Sequence, residues 1–357
     1  MQKQAPALIN EETLNGLLGR AITDFGATSL AALVVIGDRL GLYRVLAASG
    51  ALSAAELATK SGTHERYVRE WLNAHAASGY VTYLADSGRY QLSPEQAMLF
   101  AQEESPAFIV GGFQTALAAG RIVDRLTEAF KSGHGIGWHE HHPDLFPGCA
   151  RFFKVGYLNH LVQEWIPALD GVDAKLKAGI RVADVGCGVG YSTLIMAKAY
   201  PKSHFTGFDY HDESIAAAIG HARESGLTNV SFEVGKADNY RGHSYEFVAV
   251  FDALHDMGDP LAASRHVLKT LAPNGTWMIV EPYAGDRIEE NLNPIGRAFY
   301  AASTLLCTPC SLSQEGRMGL GAQAGEARLR SVVSGAGFKR FRRAIHSPVN
   351  LILEARP

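Results

Sequence analysis

The run Val182-Ala183-Asp184-Val185-Gly186-Cys187-Gly188-Val189, closed by Gly190 and followed by Tyr191-Ser192-Thr193, most constrains what this chain folds into. It reads as a buried apolar strand that breaks into a glycine loop and opens a helix from Tyr191 to Tyr200. Such a loop lets backbone N–H groups approach a ligand closely, and the helix N-terminus adds a partial positive charge. The geometry suits a nucleotide-like cofactor. A dinucleotide loop has the form G-x-G-x-x-G/A, its last small residue letting the helix pack beneath a pyrophosphate. Here the glycines run G-x-G-x-G and Tyr191 fills the small slot, which argues against NAD. In a chain with 37 glycines the triplet alone is weak, but Phe205-Thr206-Gly207-Phe208-Asp209 follows as a second strand ending in a carboxylate. Asp209 lies 25 residues after Asp184, close to the roughly 20-residue offset at which an acid meets ribose hydroxyls.

Asp184 followed by Gly186, Gly188 and Gly190 resembles motif I of class I S-adenosylmethionine-dependent methyltransferases. The resemblance implies S-adenosylmethionine as cofactor. Asp209 would then take the ribose, with Tyr210, Ala237, Asp238, Phe251 and Asp252 as further cofactor positions at strand ends. Asp238 reads equally well as a helix cap.

Composition agrees with an enzyme of about two domains at 357 residues. The 33 Lys and Arg nearly balance 36 Asp and Glu, so the overall field gives no reason to expect a nucleic-acid partner. No apolar run of roughly 18 residues is evident, and the start Met1-Gln2-Lys3-Gln4 lacks a signal-peptide core. No membrane association and a cytoplasmic location are expected. Cys149, Cys187, Cys307 and Cys310 do not form a secreted disulfide framework. Cys307-Thr308-Pro309-Cys310 reads as two reduced thiols at a helix end, and Cys187 as a small packing residue.

Residues 1–100 form a different, mainly helical unit. Thr28 to Tyr43 is rich in Leu, Val, Ile and Ala and suggests a helix buried on most sides, against another subunit in one reading. Ser53 to Glu56 is a capping box, Thr63 is placed to cap a longer helix through Ala77, and Gly79 ends it. Short strands over Tyr80–Leu84 and Arg89–Leu92 flank the turn Asp86-Ser87-Gly88. Helix, helix, hairpin is the plan of a winged helix-turn-helix. Residues 1–100 nevertheless hold eight Lys and Arg against nine Asp and Glu, a poor balance for a protein that must contact phosphates. A dimerisation and substrate-shaping module fits better than a DNA reader.

Residues 101–165 read as a helical connector and lid, interrupted at Ser132-Gly133-His134-Gly135-Ile136-Gly137. Trp138-His139-Glu140-His141-His142-Pro143 follows, but H-E-H-H is not the helical H-E-x-x-H that sets two imidazoles on one face, so no metal is expected. His139 and Tyr157 are candidates for the substrate pocket, with a solvated loop and core packing as their respective alternatives.

From 166 to 357 the pattern alternates strand and helix, as a doubly wound α/β sheet requires. Seven strands are expected, at Ile180–Val185, His204–Phe208, Val230–Val234, Phe247–Phe251, Thr276–Val280, Phe338–Ala344 and Asn350–Leu353. Between the last two lie only Ile345–Val349, too few residues for a crossover, so they must pair antiparallel. Such a Rossmann-like, seven-stranded sheet with an edge hairpin resembles the class I methyltransferase domain.

Leu254-His255-Asp256 resembles the L-H-D-W block of plant-type small-molecule O-methyltransferases, which also carry an N-terminal winged-helix dimerisation domain and have bacterial relatives. The resemblance implies His255 as general base and Glu281, at the end of Ile279-Val280-Glu281, as the residue that orients it. An imidazole is well matched to taking a proton near neutral pH. Met257 replaces the family tryptophan, Pro260 stands where an acid is common, and Gln323 replaces the second active-site glutamate. The implied function is methyl transfer from S-adenosylmethionine to a small-molecule hydroxyl, in a homodimer. Asn293 to Leu306 would form a helix roofing the pocket, with Phe299 and Tyr300 facing the acceptor or packing in the core. A regulator that senses S-adenosylmethionine or S-adenosylhomocysteine, and an N- or C-methyltransferase, remain the alternatives.

Overall fold

The computed structural model describes residues 9–357, so the polar start at Met1 to Gln4 lies outside the described residues. The chain divides into a unit ending at Leu117 and a second spanning Ala118–Pro357. Most of the 101–165 segment therefore belongs to the second unit.

The first unit begins with a helix over Glu11–Arg39, its N-terminus capped by the Asn10 side chain. The expected helix over Thr28 to Tyr43 thus starts earlier and stops sooner. Gly41, at φ 70°, turns the chain into a second helix over Leu42–Ser49. Only the C-terminal part of the first helix is buried, through Leu30, Ala31, Val34, Val35 and Gly37. Gly37 has no room for a side chain, because a Cβ there would lie 2.5 Å from the Trp71 ring. By length and composition this helix is apolar enough to cross a membrane, which corrects the expectation that no such run exists.

The Ser53 capping box forms as expected, and the helix it starts covers Ala54–Ser61. The next helix, Glu65–Ala77, is capped by the His64 side chain rather than by Thr63. Its end is fixed by His75, which is fully buried between the Tyr43 hydroxyl at 2.6 Å and the Trp71 carbonyl at 2.8 Å. The hairpin strands β1 (Thr82–Leu84) and β2 (Arg89–Gln91) pair antiparallel and complete the winged helix-turn-helix plan.

The second unit is built on strands β3 (Arg181–Val185), β4 (His204–Asp209), β5 (Val230–Val234), β6 (Tyr245–Phe251), β7 (Leu271–Pro282), β8 (Arg340–His346) and β9 (Asn350–Arg356). All seven expected strands are present, most extended by a few residues. Their order is β5-β4-β3-β6-β7-β9-β8. Strands β3 to β7 pair parallel, while β9 runs antiparallel to both β7 and β8. Side chains alternate between two cores, one on each face. From β6, Phe247, Ala249 and Phe251 pack on one side with Leu161, Trp165 and Met196. Val248 and Val250 pack on the other with Val267, Leu329 and Val333. The strand order reverses between β3 and β6, and ligands in such sheets bind outside the carboxyl ends of the strands at this point.

Candidate active site

At the end of β3 the Asp184 carboxylate accepts hydrogen bonds from the Ser192 and Thr193 hydroxyls at 2.7 and 2.6 Å, tying the strand end to the helix Tyr191–Ala199. Its other oxygen is buried with no hydrogen-bond partner among the described residues. Burial pushes this carboxyl up to about 6, against the pull of the two hydroxyls. The loop between is possible only for glycine: Gly186, Gly188 and Gly190 have φ of 76°, 52° and 84°. A Cβ on Gly190 would lie 2.6 Å from the Phe232 ring, whereas one on Gly188 would meet nothing within 4 Å. The loop therefore rests on the sheet at Gly190 and leaves open space at Gly188. Tyr191 stacks on His221, with centroids 5.1 Å apart, and His221 Nδ1 lies 3.0 Å from the loop's Val189 carbonyl.

Asp209, at the end of β4, accepts from the backbone N–H groups of Gly188 and His211, both at 2.9 Å. Burial pushes its carboxyl up despite these bonds. Each oxygen keeps a further lone pair, so the carboxylate can hold the loop and still accept from ribose hydroxyls. Tyr210 beside it is 41% exposed. At the end of β5, Ala237 packs against the core and Asp238 is exposed.

The ends of β6 and β7 hold the second cluster. Asp252, buried and at φ 48°, accepts from the Asn350 side chain at 3.2 Å, while its other oxygen is unpartnered among the described residues. Burial and then the Glu281 charge raise its carboxyl well above the usual range. Glu281 accepts from the Leu254 N–H at 3.0 Å and from His255 Nδ1 at 2.5 Å. Both Glu281 and His255 are almost fully buried. On the other side of the ring, His255 Nε2 lies 3.1 Å from Asp256 Oδ1. Burial disfavours the imidazolium, but the charges of Asp256 and Glu281 outweigh it and hold the His255 pKa well above its ordinary value.

Of the pocket candidates, His139 does not point inward. It is exposed and folds over Gly137, while its neighbour His141 is 5% exposed with both ring nitrogens unpartnered among the described residues. Tyr157 is buried edge-on against Phe251, with centroids 5.1 Å apart. Phe299 and Tyr300 are half-buried on the helix Pro294–Ala302. This helix continues as a wide π turn over Ser303–Cys307 and then as a helix over Thr308–Ser313. The glycine run at 133–137 lies on the last of these. Ile136 N–H donates to the Pro309 carbonyl at 3.0 Å, and a Cβ on Gly135 would lie 2.0 Å from Ser313 N. Gln323 donates to the Tyr283 carbonyl at 3.2 Å.

Sequence reasoning missed several participants. Gln314 accepts from Gly258 N–H at 3.1 Å and donates to the Asp256 carbonyl at 2.9 Å, fixing the His255 turn to the helix Thr308–Ser313. Cys307, buried like the other thiol of its C-x-x-C pair, belongs to a compact group with His255 and Asp256. Burial and the Asp256 charge push the Cys307 thiol up to about 12. The spacing of Cys307 and Cys310 held no signal for this, because their partners come from β6.

With this geometry in place, the comparisons can be read: residues 176–318 match the methyltransferase domain family and residues 28–102 the Rv2258c-like winged HTH domain. The chain is a methyltransferase domain behind an N-terminal winged helix-turn-helix domain, as the sequence led us to expect. Among individual proteins, it is 28% identical to the uncharacterized methyltransferase YcgJ of Bacillus subtilis over 128 residues, 35% of this chain and 50% of the relative. It is 30% identical over 104 residues to the 2-heptyl-1-hydroxyquinolin-4(1H)-one methyltransferase of Mycobacteroides abscessus, 28% of this chain and 44% of that one. The chain thus spans about half the length of the curated relatives it matches. Among solved structures, the mitomycin 7-O-methyltransferase MmcR shares the fold at a TM-score of 0.69 and 19% identity, covering 97% of this chain and 98% of that chain. Human N-acetylserotonin methyltransferase in complex with SAM does so at 0.71 and 15%, covering 99% of both chains.

Proposed function

We propose that this protein transfers a methyl group from S-adenosylmethionine to a hydroxyl of a small molecule. The observation that carries the reading is the His255–Glu281 pair, joined at 2.5 Å on adjacent strand ends beside the glycine loop. Asp184, Asp209 and Asp252 share the carboxyl edge of the sheet, each raised by burial. A cationic cofactor relieves such a cluster, whereas the pyrophosphate of a dinucleotide would add to its charge.

The residues present fit that cofactor. Gly186, Gly188 and Gly190 offer close backbone approach, Asp209 has lone pairs for the ribose, and Tyr210, Ala237, Asp238, Phe251 and Asp252 flank them. When bound, the cofactor supplies an electrophilic methyl on a sulfonium. The protein aligns the acceptor and removes its proton. With Nδ1 held by Glu281, His255 Nε2, beside Asp256 at 3.1 Å, is the nitrogen that takes that proton from the acceptor when the ring is neutral, and both carboxylates stabilise the imidazolium that results. Tyr157, His141, Phe299 and Tyr300 are the side chains we assign to the acceptor pocket, with the 134–141 strap as its lid. MmcR and N-acetylserotonin methyltransferase, which share the fold, are named for small-molecule acceptors.

We assign the first unit to dimerisation in a cytoplasmic protein. Residues 11–29 expose Leu14, Leu17, Leu18, Ile22 and Phe25 along a helix, and an isolated helix of that length is marginal in water. A second copy of the chain would cover it. The arginines of the helix Glu65–Ala77 are paired within it, Arg66 with Glu70 and Arg69 with Glu65, which leaves little free charge for DNA.

The test is transfer of labelled methyl to a panel of phenols and hydroxylated metabolites, alongside calorimetry with S-adenosylhomocysteine. Absence of binding at high micromolar concentrations overturns the cofactor assignment. Light scattering of a Leu17→Glu, Phe25→Glu variant tests the dimer, which it should dissociate.

A further inference from the structure

We propose that His255 Nε2, Asp256 Oδ1 and Cys307 Sγ form a site for a divalent transition-metal ion such as zinc or cobalt, and that the ion, by occupying Nε2, silences the proton acceptor. The binding stands on geometry alone; its inhibitory consequence rests on the methyl-transfer reading above.

Four observations converge on the site. The three donor atoms all lie within 4.8 Å of one another, with Nε2 and Oδ1 3.1 Å apart. Around a tetrahedral ion with metal–nitrogen and metal–sulfur bonds of about 2.0 and 2.3 Å, donors sit about 3.3–3.8 Å from each other. Small side-chain adjustments therefore suffice, and a fourth position stays open for water. The far nitrogen of the ring, Nδ1, is already held by Glu281 at 2.5 Å. A ligating histidine almost always hands its other N–H to a carboxylate in this way, which fixes the ring and raises the basicity of the ligating nitrogen. Asp256 Oδ1 is buried within this same group, with His255 Nε2 3.1 Å away, and no hydrogen-bond partner outside the group engages it among the described residues. Finally, the carboxylates of Asp256 and Glu281 flank the two nitrogens of one buried imidazole at 3.1 and 2.5 Å, a concentration of acceptors that a divalent cation offsets.

The scaffold is firm on both sides. His255 and Asp256 share the turn Leu254–Asp256, which Gln314 and Ser311 bind through the Asp256 and Met257 carbonyls at 2.9 and 2.8 Å. Cys307 closes the π turn Ser303–Cys307 just before the helix that carries both of those side chains. A donor set of thiolate, imidazole and carboxylate selects zinc or cobalt over magnesium or calcium. On binding, the Cys307 thiol proton and the proton on His255 Nε2 leave to solvent, and the thiolate and the neutral imidazole nitrogen pair with the metal. His139 itself is exposed and takes no part in this site.

Cobalt titration of the chelator-treated full-length chain tests the binding. One equivalent should produce visible bands of a tetrahedral ion and a near-ultraviolet thiolate-to-cobalt band. Cys307→Ser should abolish the latter and Cys149→Ser retain it, each variant first shown to bind S-adenosylhomocysteine. No band, or a band that survives Cys307→Ser, overturns the site. Zinc near stoichiometry should then lower methyl transfer by the wild type at least tenfold. Cys307→Ser should resist it, each rate taken relative to the same protein with chelator. A cobalt band without zinc inhibition overturns the regulatory half while keeping the site. Should no acceptor ever be methylated, the cobalt result still decides the binding.

Discussion

The two units bury polar side chains in opposite ways. In the first, His75 is fully buried but both ring nitrogens are engaged, one by the Tyr43 hydroxyl and one by the Trp71 carbonyl. In the second, Asp184 and Asp252 each keep a buried oxygen without a partner among the described residues, and His141 keeps two such nitrogens. A satisfied buried polar group specifies a packing, whereas an unsatisfied one costs about 1–3 kcal/mol. Thr276 and Trp277 carry such atoms inside β7, so it is the position of Asp184 and Asp252 at the carboxyl ends of the strands that makes theirs informative.

The comparison can be broken first at its sharpest point. His255→Ala should lower methyl transfer roughly 10²–10⁴-fold while S-adenosylhomocysteine affinity holds. Unchanged turnover would remove His255 from the reaction. The next effect is on stability, with opposite signs in the two units. Burial lowers the His75 pKa to about 4, so the folded chain refuses a proton that the unfolded chain takes below about 6.5. Its contribution, about 3 kcal/mol, is present above about pH 6.5 and lost as pH falls toward 4. For Asp184, raised to about 6, the folded chain keeps a proton that the unfolded one releases. Its contribution, about 3 kcal/mol, is present below about pH 4 and lost as pH rises through 6. Urea denaturation between pH 4 and 7.5 checks both: His75→Asn should flatten one slope and Asp184→Asn the other, and parallel curves for the two variants would contradict the assignment.

A smaller change sharpens the distinction between loop and ligand roles. Asp209→Asn weakens charged hydrogen bonds to Gly188 and His211, so cofactor affinity measured by calorimetry should fall about 10–100-fold. The smallest effect belongs to pure architecture. Ser53→Ala removes a helix cap and should cost about 1 kcal/mol of stability with no change in S-adenosylhomocysteine affinity. A loss of affinity there would mean that the two units are coupled.

Much of the fold was legible because the physics is local. Short apolar runs between helices mark the buried strands, and the few residues between the last two can hold only a turn, which the structure narrows to Ser347–Val349, so the edge hairpin followed from chain length alone. Asp184, the glycines, His255 and Glu281 were legible because strand ends in a doubly wound sheet are where ligands meet the chain. The long first helix was obscured by Gly16, Gly19 and Gly26, each a residue that costs about 1 kcal/mol in a helix interior. The same glycines broke up the apolar run that makes this helix long and hydrophobic enough for a membrane. Cys307 was hidden for another reason. A π turn advances the chain by an extra residue, so ordinary helical spacing from Phe299 assigns the wrong face to everything after Ser303. His141 rather than His139 faces inward because a single 3-10 turn over Trp138–Glu140 decides which ring swings out, and no periodicity encodes that.

The register of β6 against β7 sets Phe251 beside Val280, one residue short of Glu281. The distance from imidazole to carboxylate is set jointly by that register and by the turn Leu254–Asp256, which Gln314 and Ser311 hold. A single-residue deletion in β7 would turn the glutamate to the opposite side of the sheet, into a hydrocarbon core. The walls around the acceptor are under no such constraint. On the methyl-transfer reading proposed above, new acceptors can be acquired by redrawing the helices and the strap over the sheet, while the His255–Glu281 pair keeps its place.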